Sequence, residues 1–278
     1  MNFANNILLV IFIAIKVIIP QDRLEEQLNK SKEMYLHGEY FNSITELKRL
    51  IFFDSNKKYT YIANELIGEC YKQGVKFSDA LNYFTKAEIA TTVPEKVYNC
   101  KINIIKINIL RRTTRRAFSL LDSLENDPRF TMKKEEIKYW RGWVYIFSDE
   151  WDKASIQFAK TSSGSELKNI CDSIDNQKCS VIKAKLLSYF IPGAGQFYTG
   201  NYLSGLLSLG WNILWGYTTI TAFQASRVFD GIMVGDLLWF RFYNGNNQNA
   251  EKFAIEKNVE ISNSGLSYIQ NVYKGEKP

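Results

Sequence analysis

Apolar residues are spread unevenly along this chain of 278 residues. From Asp22 to about Ser162 they recur at helical spacing, and proline interrupts them only at Pro94 and Pro128, so pairs of amphipathic helices are predicted. Thr161-Ser-Ser-Gly-Ser-Glu loses that periodicity and marks a boundary. Short helices are expected over Glu166–Ile174 and Val181–Phe190, the second an amphipathic lead-in able to lie at a lipid interface. The pattern then changes. Leu203 to Phe223 is 21 residues without a charge, near the roughly 20 that cross a bilayer as a helix. A polar break, Gln224-Ala-Ser-Arg-Val, precedes a second apolar segment, and two membrane passes joined by a tight turn fit this spacing.

The expected fold is therefore all-α, a helical solenoid followed by a transmembrane hairpin. The predicted organisation is a signal peptide or N-terminal anchor over 1–20, a repeat domain over 22–162 and a linker over 163–182. A membrane module follows over 183–258, with helices at about 203–223 and 228–244, and then a polar tail over 259–278.

Self-similarity sharpens the reading of the first half. Tyr40-Phe-Asn-Ser43-Ile-Thr-Glu-Leu47 aligns with Phe77-Ser-Asp-Ala80-Leu-Asn-Tyr-Phe84, with Thr114-Arg-Arg-Ala117-Phe-Ser-Leu-Leu121 and with Trp151-Asp-Lys-Ala154-Ser-Ile-Gln-Phe158. The small residues stand at 43, 80, 117 and 154, a constant step of 37. Twelve positions earlier come Ser31, Gly68 and Gly142, while Ile105 breaks the pattern. Small residues at these places let the two helices of a pair approach closely. On these residues the segment resembles the tetratricopeptide repeat, whose usual period is 34. The positions that carry the likeness are Gly38, Tyr40 and Ser43; Gly68, Tyr71, Phe77, Ala80 and Phe84; Ala117 and Leu121; and Gly142, Tyr145, Trp151, Ala154 and Phe158. The departures are three extra residues per repeat and a third repeat lacking the glycine, the tyrosine and the turn aromatic. The resemblance implies about four degenerate repeats stacked into a solenoid with a groove for a peptide or protein partner.

Charge and cysteine content narrow the function classes. The net charge is +6, with basic and acidic residues interspersed, which argues against a nucleic-acid partner. Arg111, Arg112, Arg115 and Arg116 cluster at the turn of the third repeat, either as a solvated turn or as a grip on anions. A mean hydropathy of -0.22 excludes a chain made mostly of membrane helices. Ile7 to Ile15 reads as a signal-peptide core or an uncleaved anchor. Lys178, Lys183, Lys185, Lys252 and Lys257 flank the hairpin and Arg227 stands in its turn, which by charge would place both ends in the cytoplasm. A signal peptide would place them outside, and the expectation follows the signal peptide. Of four cysteines, Cys171 and Cys179 bracket a polar loop and could pair as a disulfide. With one histidine, His37, no catalytic pair and no zinc site can be assembled. No catalytic, metal or cofactor residue is assigned, and an enzyme is not expected.

Pro192-Gly193-Ala194-Gly195-Gln196-Phe197-Tyr198-Thr199-Gly200 precedes the long apolar segment, with Gly205 just beyond. Proline stops the lead-in helix, and the glycines permit backbone angles and approaches closed to other residues. The run lacks the Gly-Lys-Ser/Thr ending of a phosphate loop. It resembles the membrane module of bacterial repeat-containing proteins that carry a Pro-Gly-x-Gly-Gln-x-Tyr-x-Gly signature before a transmembrane hairpin. Arg241-Phe-Tyr-Asn-Gly-Asn-Asn-Gln-Asn-Ala is similar to the asparagine-rich end of that module. The resemblance implies a bacterial inner-membrane protein, and with the signal peptide a repeat domain on the outer, periplasmic side. Four polar residues are singled out in the hairpin: Asn212, Asp230, Asp236 and Arg241. Asp230 and Asp236 flank Gly231-Ile-Met-Val-Gly235, a spacing that permits close helix packing. Asp230 is expected in the turn and Asp236 in a pairing with Asn212 or Arg241. The function expected is a membrane-tethered, non-enzymatic scaffold for peptide or protein partners, able to form homo-oligomers through its membrane helices. The alternative is an oligomeric channel or transport accessory subunit using Asp230 and Asp236.

Overall fold

The computed structural model describes residues 21–278, with side chains from Arg23 onward, so the expected signal or anchor over 1–20 lies outside the described residues. These residues form helices and no strand, the all-α class the apolar spacing predicts. The chain divides into two compact units, the first ending at Gly164 and the second running from Ser165 to Lys277.

The first unit is a helical solenoid of α1 (Gln21–Leu36), α2 (Tyr40–Phe53), α3 (Thr60–Gln73), α4 (Phe77–Ile89), α5 (Pro94–Leu110), α6 (Thr114–Glu125), α7 (Lys134–Phe147) and α8 (Trp151–Phe158), with a 3-10 segment at Pro128–Lys133. Each helix packs on the next. The second helices of the four pairs start at 40, 77, 114 and 151, the 37-residue step of the sequence. The turns repeat too. The residue two before each of these helices is left-handed: Gly38 (φ 78), Val75 (φ 58), Arg112 (φ 55) and Asp149 (φ 65). The next residue donates its N–H to the carbonyl five back: Glu39 to Met34 at 2.8 Å, Lys76 to Tyr71 at 2.8 Å, Thr113 to Asn108 at 2.9 Å and Glu150 to Tyr145 at 3.0 Å. This is the Schellman closure of a helix C-terminus, in which a left-handed residue lets the chain turn back on its last carbonyls. Glycine fills that place only once. Val75 is β-branched and exposed there, so Val75→Gly should stabilise the unit by about 0.5–1 kcal/mol, read as a higher denaturant midpoint with an unchanged slope.

The core is a ladder at the same period. Ser43, Ala80, Ala117 and Ala154 are all fully buried. A Cβ built on Gly68 would lie 2.8 Å from the Phe84 ring, and one on Gly142 would lie 2.6 Å from the Phe158 ring. Glycine in one helix therefore makes room for phenylalanine in the next. The equivalent places in the third pair hold Ile105 and Leu121, both fully buried. The lost glycine is matched by a smaller partner, so the volume is shared out differently. In the first pair, Ser43 Oγ donates to the Ser31 carbonyl at 2.8 Å. Trp140, Trp143 and Trp151 are buried and pack the last pair.

The second unit contains α9 (Ser165–Gln177), α10 (Val181–Phe190), α11 (Ala194–Tyr198), α12 (Tyr202–Gln224), α13 (Val228–Val234), a π-helical turn (Gly235–Phe240) and α14 (Arg241–Val272). Ser180 Oγ accepts from Lys183 N at 3.2 Å and caps α10. The solenoid's turn recurs twice: after Gly200 (φ 83) Asn201 N donates to the Gln196 carbonyl at 2.8 Å, and after Ser226 (φ 58) Arg227 N donates to the Ala222 carbonyl at 2.9 Å.

Three expectations change here. Among the described residues no helix is long and apolar enough to cross a membrane. α12 has the length and the lack of charge, but its asparagine, threonines, glycines and serines lower its mean hydropathy, and the second segment carries Asp230, Asp236 and Arg241. The second segment is also not a separate helix, because α13, the π turn and α14 run on to Val272. Residues 259–272, expected as a polar tail, are thus helical, and Ile269 is buried. Finally, all four cysteines are free. Cys171 is buried within α9, whereas Cys179 lies past its end, with its backbone N–H donated to Asn258 Oδ1 at 2.7 Å, so the two are not drawn together.

Burial pushes the Cys100 and Cys171 thiols up to about 12. A thiol that keeps its proton when folded and loses it near 8.5 when unfolded stabilises fully below pH 8.5, and that contribution disappears as pH rises toward 12. Denaturant midpoints should therefore fall between pH 9 and 11, less steeply in Cys100→Ala for the first unit and in Cys171→Ala for the second.

Candidate functional site

In the first unit, α2, α3 and the turn after α3 enclose a cleft of about 700 Å³. Its wall is aromatic: Phe41 and Phe52, both about 80% exposed, stand beside Tyr40, Phe53 and Tyr71. Exposure on this scale arises because Leu47 and Leu50 already fill the buried side of α2, leaving the phenylalanines on the far side. Phe52 and Phe53 meet edge to face at 5.0 Å. Tyr71 and Tyr83 stack at 5.4 Å, and Lys48 Nζ sits 6.0 and 5.7 Å from their ring centroids. Lys48 and Lys76 bring positive charge to the cleft, while Glu46 is taken by Arg49 at 2.8 Å. The result is an apolar slot edged by Lys48 and Lys76, which make no ion pair among the described residues. Such a slot holds an apolar anchor and favours carboxylates next to it.

Of the repeat positions named from sequence, Ala80, Phe84, Ala117, Gly142, Trp151, Ala154 and Phe158 are core, as is Gly68, while Tyr40, Phe77, Tyr71 and Tyr145 are half-buried. Tyr40 and Tyr71 reach the cleft, and Tyr145 packs on Phe118 at 4.8 Å. Phe41 and Phe52, which dominate the slot, were not singled out by the repeat pattern. Each stands next to another aromatic, Phe41 beside Tyr40 and Phe52 beside Phe53, and that doubling was the available signal. Arg111, Arg112, Arg115 and Arg116 are exposed and, among the described residues, make no ion pair, which fits a solvated turn.

In the second unit the motif residues converge. Gly195 N donates to Ser188 Oγ at 2.9 Å, and Ser188 Oγ donates to Gln196 Oε1 at 3.0 Å. Gln196 Nε2 donates to the Asn246 carbonyl at 3.0 Å, to Asn246 Oδ1 and to Ser208 Oγ at 3.4 Å. Gln196, Ser188, Asn246 and Asn247 are all buried, so the glutamine signature and the asparagine-rich run, 50 residues apart, form one polar node. The glycines are required by contact: a Cβ on Gly195 would lie 2.1 Å from the Ala184 carbonyl, and one on Gly193 (φ 94) 2.3 Å from that of Gly205. Tyr198 Oη accepts from Ser180 N at 3.0 Å, tying the motif back to the start of α10. Pro192 ends the approach to the turn. Ser188 was missed in the sequence, where one serine in an apolar helix carries no signal.

The hairpin itself is built inside out. The buried face of α12 is Gly205, Asn212, Gly216, Thr219 and Ala222, small or polar without exception. Asn212 Nδ2 bonds the Ser208 carbonyl at 2.8 Å, and Thr219 Oγ1 bonds that of Trp215 at 2.7 Å. The exposed face holds Leu203, Leu207, Ile213, Leu214, Tyr217 and Ile220 among others. On the second half of the hairpin, Gly231 closes on the Phe223 ring and Gly235 on Thr219, as their four-residue spacing predicts. Asp230, expected in the turn between the helices, lies instead in the first helical turn of α13, 3.9 Å from Arg227. Asp236 corrects the expected pairing: it is exposed, and among the described residues neither it nor Arg241 makes an ion pair, while Asn212 bonds its own helix through Nδ2 and its buried Oδ1 meets no partner among them. Among the described residues no group of three or more His, Cys, Asp or Glu is placed to hold a metal ion. No protein-family model, no curated protein and no solved structure matches this chain.

Proposed function

We propose that this chain is a non-enzymatic adaptor: the second unit embeds its hairpin in a lipid bilayer, and the first unit, a tetratricopeptide-like solenoid, receives a polypeptide partner. The observation that carries the proposal is the inverted α12. A helix packed in water turns large apolar residues inward and polar ones outward; this one does the opposite over its whole length. Mean hydropathy averages over the circumference, but lipid meets only the exposed positions. Asn212 and Thr219 are hidden against the second half of the hairpin, so the surface left to lipid is apolar although the average is not. Main-chain groups are satisfied within the helices, as a hydrocarbon environment requires. Phe197, Tyr198 and Tyr202, near the start of α12, have the chemistry of the headgroup region. The partner is a peptide with an apolar anchor and neighbouring carboxylates, on the strength of the Phe41–Phe52 slot and Lys48 and Lys76.

Two experiments on the full chain test the two halves. Reconstituted with phosphatidylcholine vesicles by detergent removal, the chain should float with them through a density gradient and resist extraction by high salt; sedimentation away from the vesicles would overturn the tether. Selection of a random peptide display library should enrich acidic sequences with aromatic or leucine anchors, and Phe52→Asp should weaken the selected peptides at least tenfold. Enrichment of basic sequences, or binding indifferent to Phe52, would overturn the slot.

A further inference from the structure

We infer that the hairpin pairs with a second copy of this chain through reciprocal contacts between Asp236 of each copy and Arg241 of the other. The inference rests on the lipid-embedded reading of the hairpin. A cleft of about 540 Å³ opens on the hairpin's surface, lined by Thr219, Phe223, Ile232, Asp236, Trp239 and Phe240. All of these but Asp236 present apolar or aromatic surface or a hydroxyl, and Thr219 spends its hydroxyl on the Trp215 carbonyl. An exposed carboxylate inside an apolar surface is costly in lipid unless an opposite charge meets it. Among the described residues no group meets it: Arg227 faces Asp230, and Arg241 makes no ion pair.

Arg241 is the complementary half of the same surface. It is exposed, without an ion pair among the described residues, and five residues beyond Asp236 on the same unbroken helix. The intervening Gly235–Phe240 segment is π-helical, and its i→i+5 turns carry the residue five places on back toward the same side. Each copy therefore shows one acid and one base, about a turn apart, on one strip of helix. Two such strips related by a two-fold axis match acid to base twice, which is the self-complementary interface that cyclic dimers require. The apolar cleft beside Asp236 supplies the packing surface, and the long guanidinium stem spans the offset along the axis. An anionic lipid headgroup would meet Arg241 and leave Asp236 unmet; a second copy meets both in a geometry fixed by the two-fold axis.

The test uses the full chain with two different fluorescent tags, in vesicles and in detergent micelles, with dimerisation read by energy transfer and by sedimentation. The wild type should be dimeric. Asp236→Arg chains present two guanidiniums and Arg241→Asp chains two carboxylates, so each alone should dimerise at least tenfold more weakly. Mixed together they should form heterodimers at close to wild-type strength, because the mixture restores both contacts across the interface; an ion pair within one chain could not produce that result. Asp236→Asn with Arg241→Gln, milder changes that retain helicity by circular dichroism, should weaken self-association without mixing rescue. A monomeric wild type, single variants that dimerise undiminished, or a mixture without recovery would each overturn the pairing. Flotation of every variant is scored separately: vesicle-bound but monomeric protein overturns the pairing alone, whereas failure to float overturns the tether.

Discussion

Gly142→Ile should destabilise the solenoid by about 3 kcal/mol, at the upper end of the usual cost of overpacking, because a Cβ there already falls 2.6 Å from the Phe158 ring. Phe158→Leu alone should cost about 1–2 kcal/mol by leaving part of a fully buried site unfilled. The two together reproduce the pairing that the third repeat uses, Ile105 with Leu121. The double variant should therefore recover most of the loss and lie within about 2 kcal/mol of wild type, a coupling of about 2–3 kcal/mol of the kind seen between residues in contact. Chemical denaturation followed by tryptophan fluorescence reads this directly, since Trp140, Trp143 and Trp151 are buried in the same helix pair. If the costs simply add, the ladder of paired volumes is not what holds successive helices together.

Ile213→Asp should reduce vesicle partition several-hundredfold. Ile213 lies midway along α12 and is 63% exposed. A carboxylate at the centre of a membrane helix costs about 2.5–3.5 kcal/mol, and the isoleucine it replaces contributes favourably, so the sum is about 3–4 kcal/mol. In water the same exposed position would tolerate the change within about 0.5 kcal/mol. Flotation of the variant beside Met132→Asp, at a 94% exposed site in the solenoid, separates these cases: only the α12 variant should stay behind. Equal flotation of both would remove the case for lipid around the hairpin.

Much of the solenoid was legible from its small residues. Ser43, Ala80, Ala117 and Ala154 marked four helices at their observed spacing, since a close helix crossing tolerates little else. Val181 and Phe190 also bound a helix as the apolar pattern predicts. The turns were less visible, because two of the four left-handed places hold Val75 and Arg112, residue types that seldom adopt that conformation. The extent of α14 was hidden by its asparagines, weak helix formers held here by tertiary contacts such as Gln196 to Asn246. Burial of Asn246 and exposure of Asp236 both depend on partners far away in sequence, beyond the reach of local pattern. The disulfide failed for a related reason: eight positions of separation say nothing about which way a helix turns its cysteine. Of the cleft, Tyr40 and Tyr71 were named for their place in the repeat, but Phe41 and Phe52 emerge only once the inward face of α2 is known to be filled.

The uninterrupted run from Val228 to Val272 has a mechanical corollary. At 1.5 Å per residue it is roughly 65 Å long, about twice the hydrocarbon thickness of a bilayer. With the hairpin embedded as proposed, about half of this run stands clear of the lipid, and there it is held against α10 and the turn before it, by Lys185 on Glu251 at 2.8 Å and by Cys179 N on Asn258 Oδ1 at 2.7 Å. On that reading these contacts tie any tilt of the submerged half to the lead-in helix α10, so the two respond together to a change in bilayer thickness.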